Sequence, residues 1–249
     1  MAETRKKLSE KLKHYRALKK QRGMTLLEII IVLGIIGTIA AGVVVLAQRA
    51  YDNKAMTDLV TNTNVVRTAI KETWGPTGVY PNEQVTGTLA LTEDTIKTVN
   101  GTDTPAIATL VQLGKLSTSE ARNNISSNFF NVGNAHVGAL TGGTGGVAAA
   151  NRAYFIEVNG LDQKQCRNIV LQVGNQWDYV QIINTGGGTG NYASTDHIDL
   201  AAAAVTITTA GDGGVIRSLA NAGNVTITPE TIAMACSDSA NNSLVLGSR

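Results

Sequence analysis

The chain has 249 residues, enough for one globular domain of ordinary size with additional segments. Its formal net charge of +2 hides a segregation: residues 1–23 carry nine Lys and Arg against Glu3 and Glu10, whereas the remaining residues hold 12 Lys and Arg against 17 Asp and Glu. The basic excess thus lies wholly at the start, the body of the chain is acidic, and nucleic acid is not expected as a partner.

Residues 24–47 read MTLLEIIIVLGIIGTIAAGVVVLA, 24 residues with one charge, Glu28. As a helix this run is roughly 36 Å long, sufficient to cross a hydrocarbon core of about 30 Å. The basic flank before it is expected to stay on the cytoplasmic side, which places the rest of the chain outside the inner membrane. Residues 48–73 contain neither Pro nor Gly, and Met56, Leu59, Thr63, Val66 and Ile70 recur at spacings of three and four, one face of an amphipathic helix. Gly75-Pro76 stops the run. The pattern predicts one helix of about 50 residues from Met24 to near Trp74, apolar all round in its first half and one-faced in its second.

Residues 76–104 are rich in Thr, Asn, Gly and Asp and show no period, so turns are expected. Residues 105–124 suggest two short helices parted near Gly114, the second opened by a Ser117-x-x-Glu120 capping box. TGGTGG at 141–146 is a flexible loop by composition. AYFIEV (153–158) reads as a strand, LDQKQCRNIVLQV (161–173) as a helix, and WDYVQII (177–183) as a strand. VTIT (205–208), GVIRSL (214–219), VTIT (225–228) and SLVLG (243–247) read as strands, with a helical turn over 229–235. A long helix followed by several strands predicts an α+β fold, an antiparallel sheet packed on the C-terminal half of the helix.

A basic stretch followed by an apolar run is a generic export signal, and the residues admit three readings. A signal peptide is cut after the apolar core, near Ala47; a membrane anchor is not cut; a precursor cut at Gly23 keeps the core. The apolar run exceeds the length of a usual signal core, and Glu28 is costly in lipid without a role. The segment RGMTLLEIIIVLGIIG (22–37) resembles the processing site of type IV pilins, in which a Gly precedes the cut, an apolar residue becomes the new N-terminus and a Glu stands fifth in the mature chain. Gly23, Met24 and Glu28 match these three positions. The long leader and Met as the new first residue resemble class IVb, the toxin-coregulated pilus and longus type, with further similarity at LVQLGKLSTSEARN (110–123) and GLDQKQCRNIV (160–170).

The resemblance implies removal of residues 1–23 by a prepilin peptidase, N-methylation of Met24, and polymerisation of a structural subunit into a surface filament. It implies a filament-core half of the helix at 24–47, an amphipathic half at 48–75 and a globular α+β domain at 76–249. Glu28 stands four residues from Met24 on the same helix side, and a buried carboxylate needs a cation. The resemblance makes that cation the new amine of a neighbouring subunit, which fixes axial register. Gly34/Thr38, Gly37/Ala41 and Thr38/Gly42 are pairs of small residues that let apolar helices approach closely.

An oxidising periplasm makes Cys166 and Cys236 most simply one disulfide, as the resemblance also implies. His14, His136 and His197 show no metal-ligand or catalytic spacing, and HExxH and CxxC are absent. The GxGxxA within NTGGGTGNYA (184–193) lacks the helix that a dinucleotide site needs directly after its glycines, and is expected to be a mobile surface loop. No catalytic, cofactor-binding or metal residue is assigned. The expected subunit is an inner-membrane precursor, then part of an extracellular filament serving adhesion, colonisation or aggregation, with the assembly machinery and further copies of itself as partners. A minor pilin or type II secretion pseudopilin shares the same N-terminus; a membrane-tethered binding protein or enzyme predicts a different cut and a polar cleft.

Overall fold

The computed structural model describes residues 24–138, 152–194, 198–205, 207–220 and 227–249. The chain divides into two compact units, Met1–Asp52 and Asn53–Arg249. Helix α1 runs Leu26–Trp74. It ends where the sequence places the stop, the Gly75 amide still donating to the Lys71 carbonyl at 3.0 Å before Pro76 breaks the ladder.

In the first unit the helix is exposed at every residue, as expected for a run with no polar face to distinguish inside from outside. In the second unit the expected stripe is the one that packs. Met56, Leu59, Thr63, Val66 and Ile70 are buried, joined by Asn62 and Ala69. Thr63 satisfies its hydroxyl on the Leu59 carbonyl at 2.7 Å, which leaves its methyl to the core.

That stripe belongs to a core formed with one face of a six-stranded sheet. The strands are β1 (Asn131–His136), β2 (Ala153–Leu161), β3 (Tyr179–Ile183), β4 (Ile198–Asp199), β5 (Gly214–Arg217) and β6 (Asn242–Ser248), in the order β4-β1-β2-β6-β3-β5. Every pairing is antiparallel except β1 with β4 at the edge, so the sheet is mixed. Alternate residues separate into two clusters, as the strand period requires. Tyr154, Ile156, Val158, Val180, Ile182, Ile216, Leu244 and Leu246 pack with α1. Ala153, Phe155, Tyr179, Val215 and Val245 pack on the other face with Leu200, Ala202, Ala204 and Leu219. Because both faces are covered, all residues of β1, β2 and β6 are buried.

The short helices are α2 (Val85–Leu89), α3 (Ala106–Gln112), α4 (Gln163–Val173) and α5 (Pro229–Ala235). Helix α3 ends in a Schellman closure: Gly114 takes a φ of +69°, its amide bonds Val111 and the Lys115 amide bonds Leu110, each at 3.0 Å. The second helix expected after Gly114 is a turn instead. Ser117 and Glu120 exchange the bonds of a capping box, Ser117 N–H to the Glu120 carboxylate at 2.8 Å and Glu120 N–H to Ser117 Oγ at 3.3 Å, but the chain turns away at Ala121 towards Phe130. The box closes locally whether or not a helix follows it. The Ser117 hydroxyl, donating to the Glu120 carboxylate at 2.6 Å, and then the Ser117 amide hold the Glu120 carboxyl below its ordinary value.

Helix α4 begins one residue after Asp162, whose carboxylate accepts the Gln165 amide at 2.7 Å while Gln165 Oε1 accepts the Asp162 amide at 3.0 Å. Around 205–208, Val205, Ile207 and Thr208 are not strand, although the Val205 amide bonds the Val215 carbonyl at 2.8 Å. Of 225–228, Val225 and Thr226 lie outside the described residues, and Thr228 caps α5. The loop at 141–146 also lies outside them. Strands β1 and β4 and helix α2 have no counterpart in the sequence reading. The sequence of β1, NVGNAH, offers neither alternation nor an apolar run, because Gly133 lies against Phe155 and Asn131 and Asn134 are buried.

Candidate assembly site

Thr25 precedes the first residue of α1, and its hydroxyl accepts the Glu28 amide at 3.2 Å. Thr25-x-x-Glu28 is therefore a helix-start signal, Thr at the cap and Glu three residues on, and the sequence reading passed over it. The cap fixes where the helix begins and with it the side on which Met24 and Glu28 lie. Met24 is 73% exposed, and every residue from there to Lys54 is exposed. A carboxylate in the first turn also meets the positive end of the helix dipole. Gly23, on the other side of the expected cut, lies outside the described residues, as do His14 and His197.

Around this terminus the helix is long and apolar enough to cross a membrane. A Cβ added at Gly34, Gly37 or Gly42 meets nothing within 4 Å, so these glycines answer to no contact among the described residues. Thr38 turns its hydroxyl back onto the Ile35 carbonyl at 2.9 Å, so the stripe presents no unsatisfied donor. The surface that results is apolar, closely approachable and charged only at Glu28.

In the second unit Cys166 and Cys236 are disulfide-bonded, with Cα atoms 6.1 Å apart and both side chains fully buried. The bond ties the first turns of α4 to the residue after α5. Gln163 Nε2 bonds the Cys236 carbonyl at 3.1 Å and Asn184 Nδ2 bonds the Ala235 carbonyl at 3.1 Å, so the cross-link sits in a set of side-chain-to-backbone contacts. The glycine-rich loop that follows β3 is anchored. Asn128 Oδ1 accepts from Gly190 N–H at 2.9 Å, Asn159 Nδ2 reaches the Asn191 carbonyl at 2.6 Å, and Gly187 lies so close to Ser243 that a Cβ there would stand 2.3 Å from it. Its glycines serve packing, not a phosphate.

The sequence reading also missed Glu157, a fully buried carboxylate on β2. It accepts from Ala193 N–H at 2.6 Å, Ser194 N–H at 3.2 Å, Ser243 Oγ at 2.5 Å, Asn131 Nδ2 at 3.5 Å and the Ser194 hydroxyl. Among the described residues it forms no ion pair. Donors collected from the 192–194 segment and from β6 take the place of a cation. Among the described residues no group of three His, Cys, Asp or Glu is placed to hold a metal ion.

Residues 109–242 match the family described as Toxin-coregulated pilus subunit TcpA, and residues 18–44 match the prokaryotic N-terminal methylation motif. The chain is 38% identical over 203 residues to the toxin coregulated pilin of Vibrio cholerae, covering 81% of this chain and 77% of that one. It belongs to the type IVb pilins of the toxin-coregulated pilus family. A second toxin coregulated pilin, from Vibrio cholerae serotype O1, is 36% identical over 208 residues, covering 80% of this chain and 76% of its own. The crystal structure of TcpA, a type IV pilin from the Vibrio cholerae El Tor biotype, superposes with a TM-score of 0.57 at 23% identity, covering 79% of this chain and 99% of that one, and shares the fold. This pilin is a filament-type structural subunit by family. The motif match spans the cap, Glu28 and the glycine stripe together.

Proposed function

We propose that this pilin is made as an inner-membrane precursor, cut between Gly23 and Met24, methylated on the new Met24 amine and polymerised into a surface filament that serves adhesion, colonisation or aggregation. Residues 1–23 are the discarded leader, 24–47 the filament-core half of α1, 48–75 the amphipathic half and 76–249 the α+β domain that covers the filament. Glu28 pairs with the Met24 amine of a neighbouring subunit. The prepilin peptidase and methylase, the assembly machinery and further copies of the chain are the partners, and no catalytic role is assigned.

The observation that carries this reading is an exposed, capped helix whose apolar half has one charge, at the fifth position after the expected cut. Isolated in lipid, such a carboxylate is costly; beside a cationic amine from a second helix it is neutralised. N-terminal sequencing and intact mass of the mature protein test the processing step. The expected chain starts at Met24 with one added methyl group. A chain beginning at Gln48, or one that retains residues 1–23, overturns the reading.

A further inference from the structure

Strands β6, β3 and β5 lie side by side, and their register places Asp178, Arg217 and Ser248 at one end and Asn184, Gly213 and Asn242 at the other. The two ends differ in charge. At the first, Arg67 of α1 lies over the Trp177 ring at 4.6 Å and donates to the Gln176 carbonyl at 2.8 Å. Arg217 donates to Asn175 Oδ1 at 3.2 Å, in the same turn. Lys71 stands one helical turn beyond Arg67, exposed. Asp178 at the same end accepts the Ser248 hydroxyl at 2.9 Å and the Arg249 amide at 3.2 Å, neutral donors that leave its charge to act on Lys71, so three cations face one free carboxylate charge there. Glu72, next along the helix, is bound to Lys115 at 3.0 Å. None of Arg67, Lys71 and Arg217 has an ion-pair partner among the described residues, and like charges four apart on a helix repel.

At the opposite end the Gly211 amide bonds the Met234 carbonyl and Gly211 lies against Ser237, so Asp212 and Asp238 are the residues next in chain to a close backbone approach. Asp212 and Asp238 are exposed, and Glu230 lies on α5, which leads into Cys236. Arg167 of α4 spends its guanidinium on the Ala233 carbonyl at 2.5 Å. Asp162 caps the same helix. The ends are separated by the length of a five-residue strand, about 16 Å.

We propose that the basic end of one subunit, built from Arg67, Lys71 and Arg217, docks on the acidic end of a second copy, built from Asp212 and Asp238. Two different patches that complement each other make a heterologous contact, which does not pair subunits off but continues from copy to copy. The proposal rests on the filament reading and extends it from the helix core to the outer domain. Complementary charge fixes which copies meet and in what register, and leaves the bulk of the affinity to the apolar helices.

The test is a reversal of each end and of both. Lys71→Glu/Arg217→Glu and Asp212→Lys/Asp238→Lys are each expected to cut the yield of sheared filaments at least tenfold, with processed, disulfide-bonded subunit still present. The four substitutions in one chain exchange the signs of the two ends and are expected to return the yield to within about threefold of the parent. Parental yield from both two-site variants overturns the proposal, as does a four-site variant no better than the worse of them. Intact filaments with loss of subunit retention on phosphatidylglycerol vesicles in the Lys71→Glu/Arg217→Glu variant also overturn it, and assign the basic end to lipid. A parent chain that is not cut at Gly23 and forms no filament refutes the pilin reading instead, so the two failures are distinguishable.

Discussion

Among the described residues Glu28 and Glu157 are two carboxylates without an ion-pair partner, and they resolve that in opposite ways. Glu157 is satisfied internally by five donors. Replacing it with Ala strands two backbone amides and the Ser194 and Ser243 hydroxyls in the interior, at a cost of about 1–3 kcal/mol for each group left unpaired. The expected outcome for Glu157→Ala is a loss of at least 3 kcal/mol by urea unfolding, with hydrogen exchange accelerated first at residues 192–194; unchanged protection there refutes the clasp. Glu28 is exposed and must be answered from outside. Glu28→Gln keeps the length and shape and removes the charge. If Glu28 serves only its own helix end, the substitution costs about 0.3–1 kcal/mol. If it neutralises a neighbour's buried amine, the cost is about 3–5 kcal/mol at every subunit contact. We expect subunits that are inserted, cut and methylated but yield few or no filaments, because losing a charge makes the helix more compatible with lipid. Normal filament yield from Glu28→Gln removes the register role. Of the two, Glu28 was legible because a charge in an apolar run is conspicuous. Glu157 was not, since the strand AYFIEV carries no mark that its second face is covered.

Elements whose identity rests on local pattern were readable, and those that rest on partners were not. Helix α1 declares itself through an apolar run, a stretch free of Pro and Gly over 48–73 and a stripe at helical spacing. Helix α4 carries its Asp162-x-x-Gln165 start in its own residues. By contrast β1 is a strand because β2 and β4 pair with it on either side, and β4 is two residues long. Ser117 and Glu120 form their box without a helix because the Ala121 carbonyl accepts the Phe130 amide instead of a helical partner. The disulfide is the element-scale counterpart of such long-range ties. It closes a separation of 70 residues across the least patterned part of the chain, worth about 4 kcal/mol in the chain-entropy account. Replacing both Cys166 and Cys236 with Ala is therefore expected to lower the unfolding free energy of the mature chain by about 2–4 kcal/mol and to raise its degradation in the cell. Measured stability equal to the parent, with parental subunit levels, shows that the hydrogen bonds from Gln163 and Asn184 suffice to hold α5 in place.

At the scale of the molecule, the α+β class and the helix that organises it were predictable, since the division between an unpatterned apolar half and a one-faced half is written in the spacing of α1. The order of strands was not, because β6 enters between β2 and β3 from the far end of the sequence and no local signal marks that insertion. The cost of this arrangement is that few aromatics carry much of the core: the chain has only three Phe and two Trp. Tyrosines do part of that work. Tyr154 packs between Tyr80, with ring centroids 5.0 Å apart, and Trp177, at 6.3 Å, and is fully buried. Burial pushes its phenol up to about 12, against the nearby Arg67 charge, and burial likewise raises Tyr179 and Tyr192. A phenol held more tightly protonated in the folded chain contributes fully below its unfolded value of about 10, and that contribution is lost as pH rises towards the folded value. Each pH unit in that window corresponds to about 1.4 kcal/mol per group, so Tyr154 alone removes about 2 kcal/mol by pH 11.5. The second unit is expected to keep constant stability from pH 8 to about 9.5 and then to lose it steeply, read as the urea midpoint of the mature, disulfide-bonded chain. Tyr154→Phe preserves the ring stack and has no proton to release, so its midpoint falls less between pH 9.5 and 11.5 than that of the parent. Parallel curves for the two proteins show that the phenol of Tyr154 is solvated in the folded state and that its burial is not what makes the domain sensitive to base.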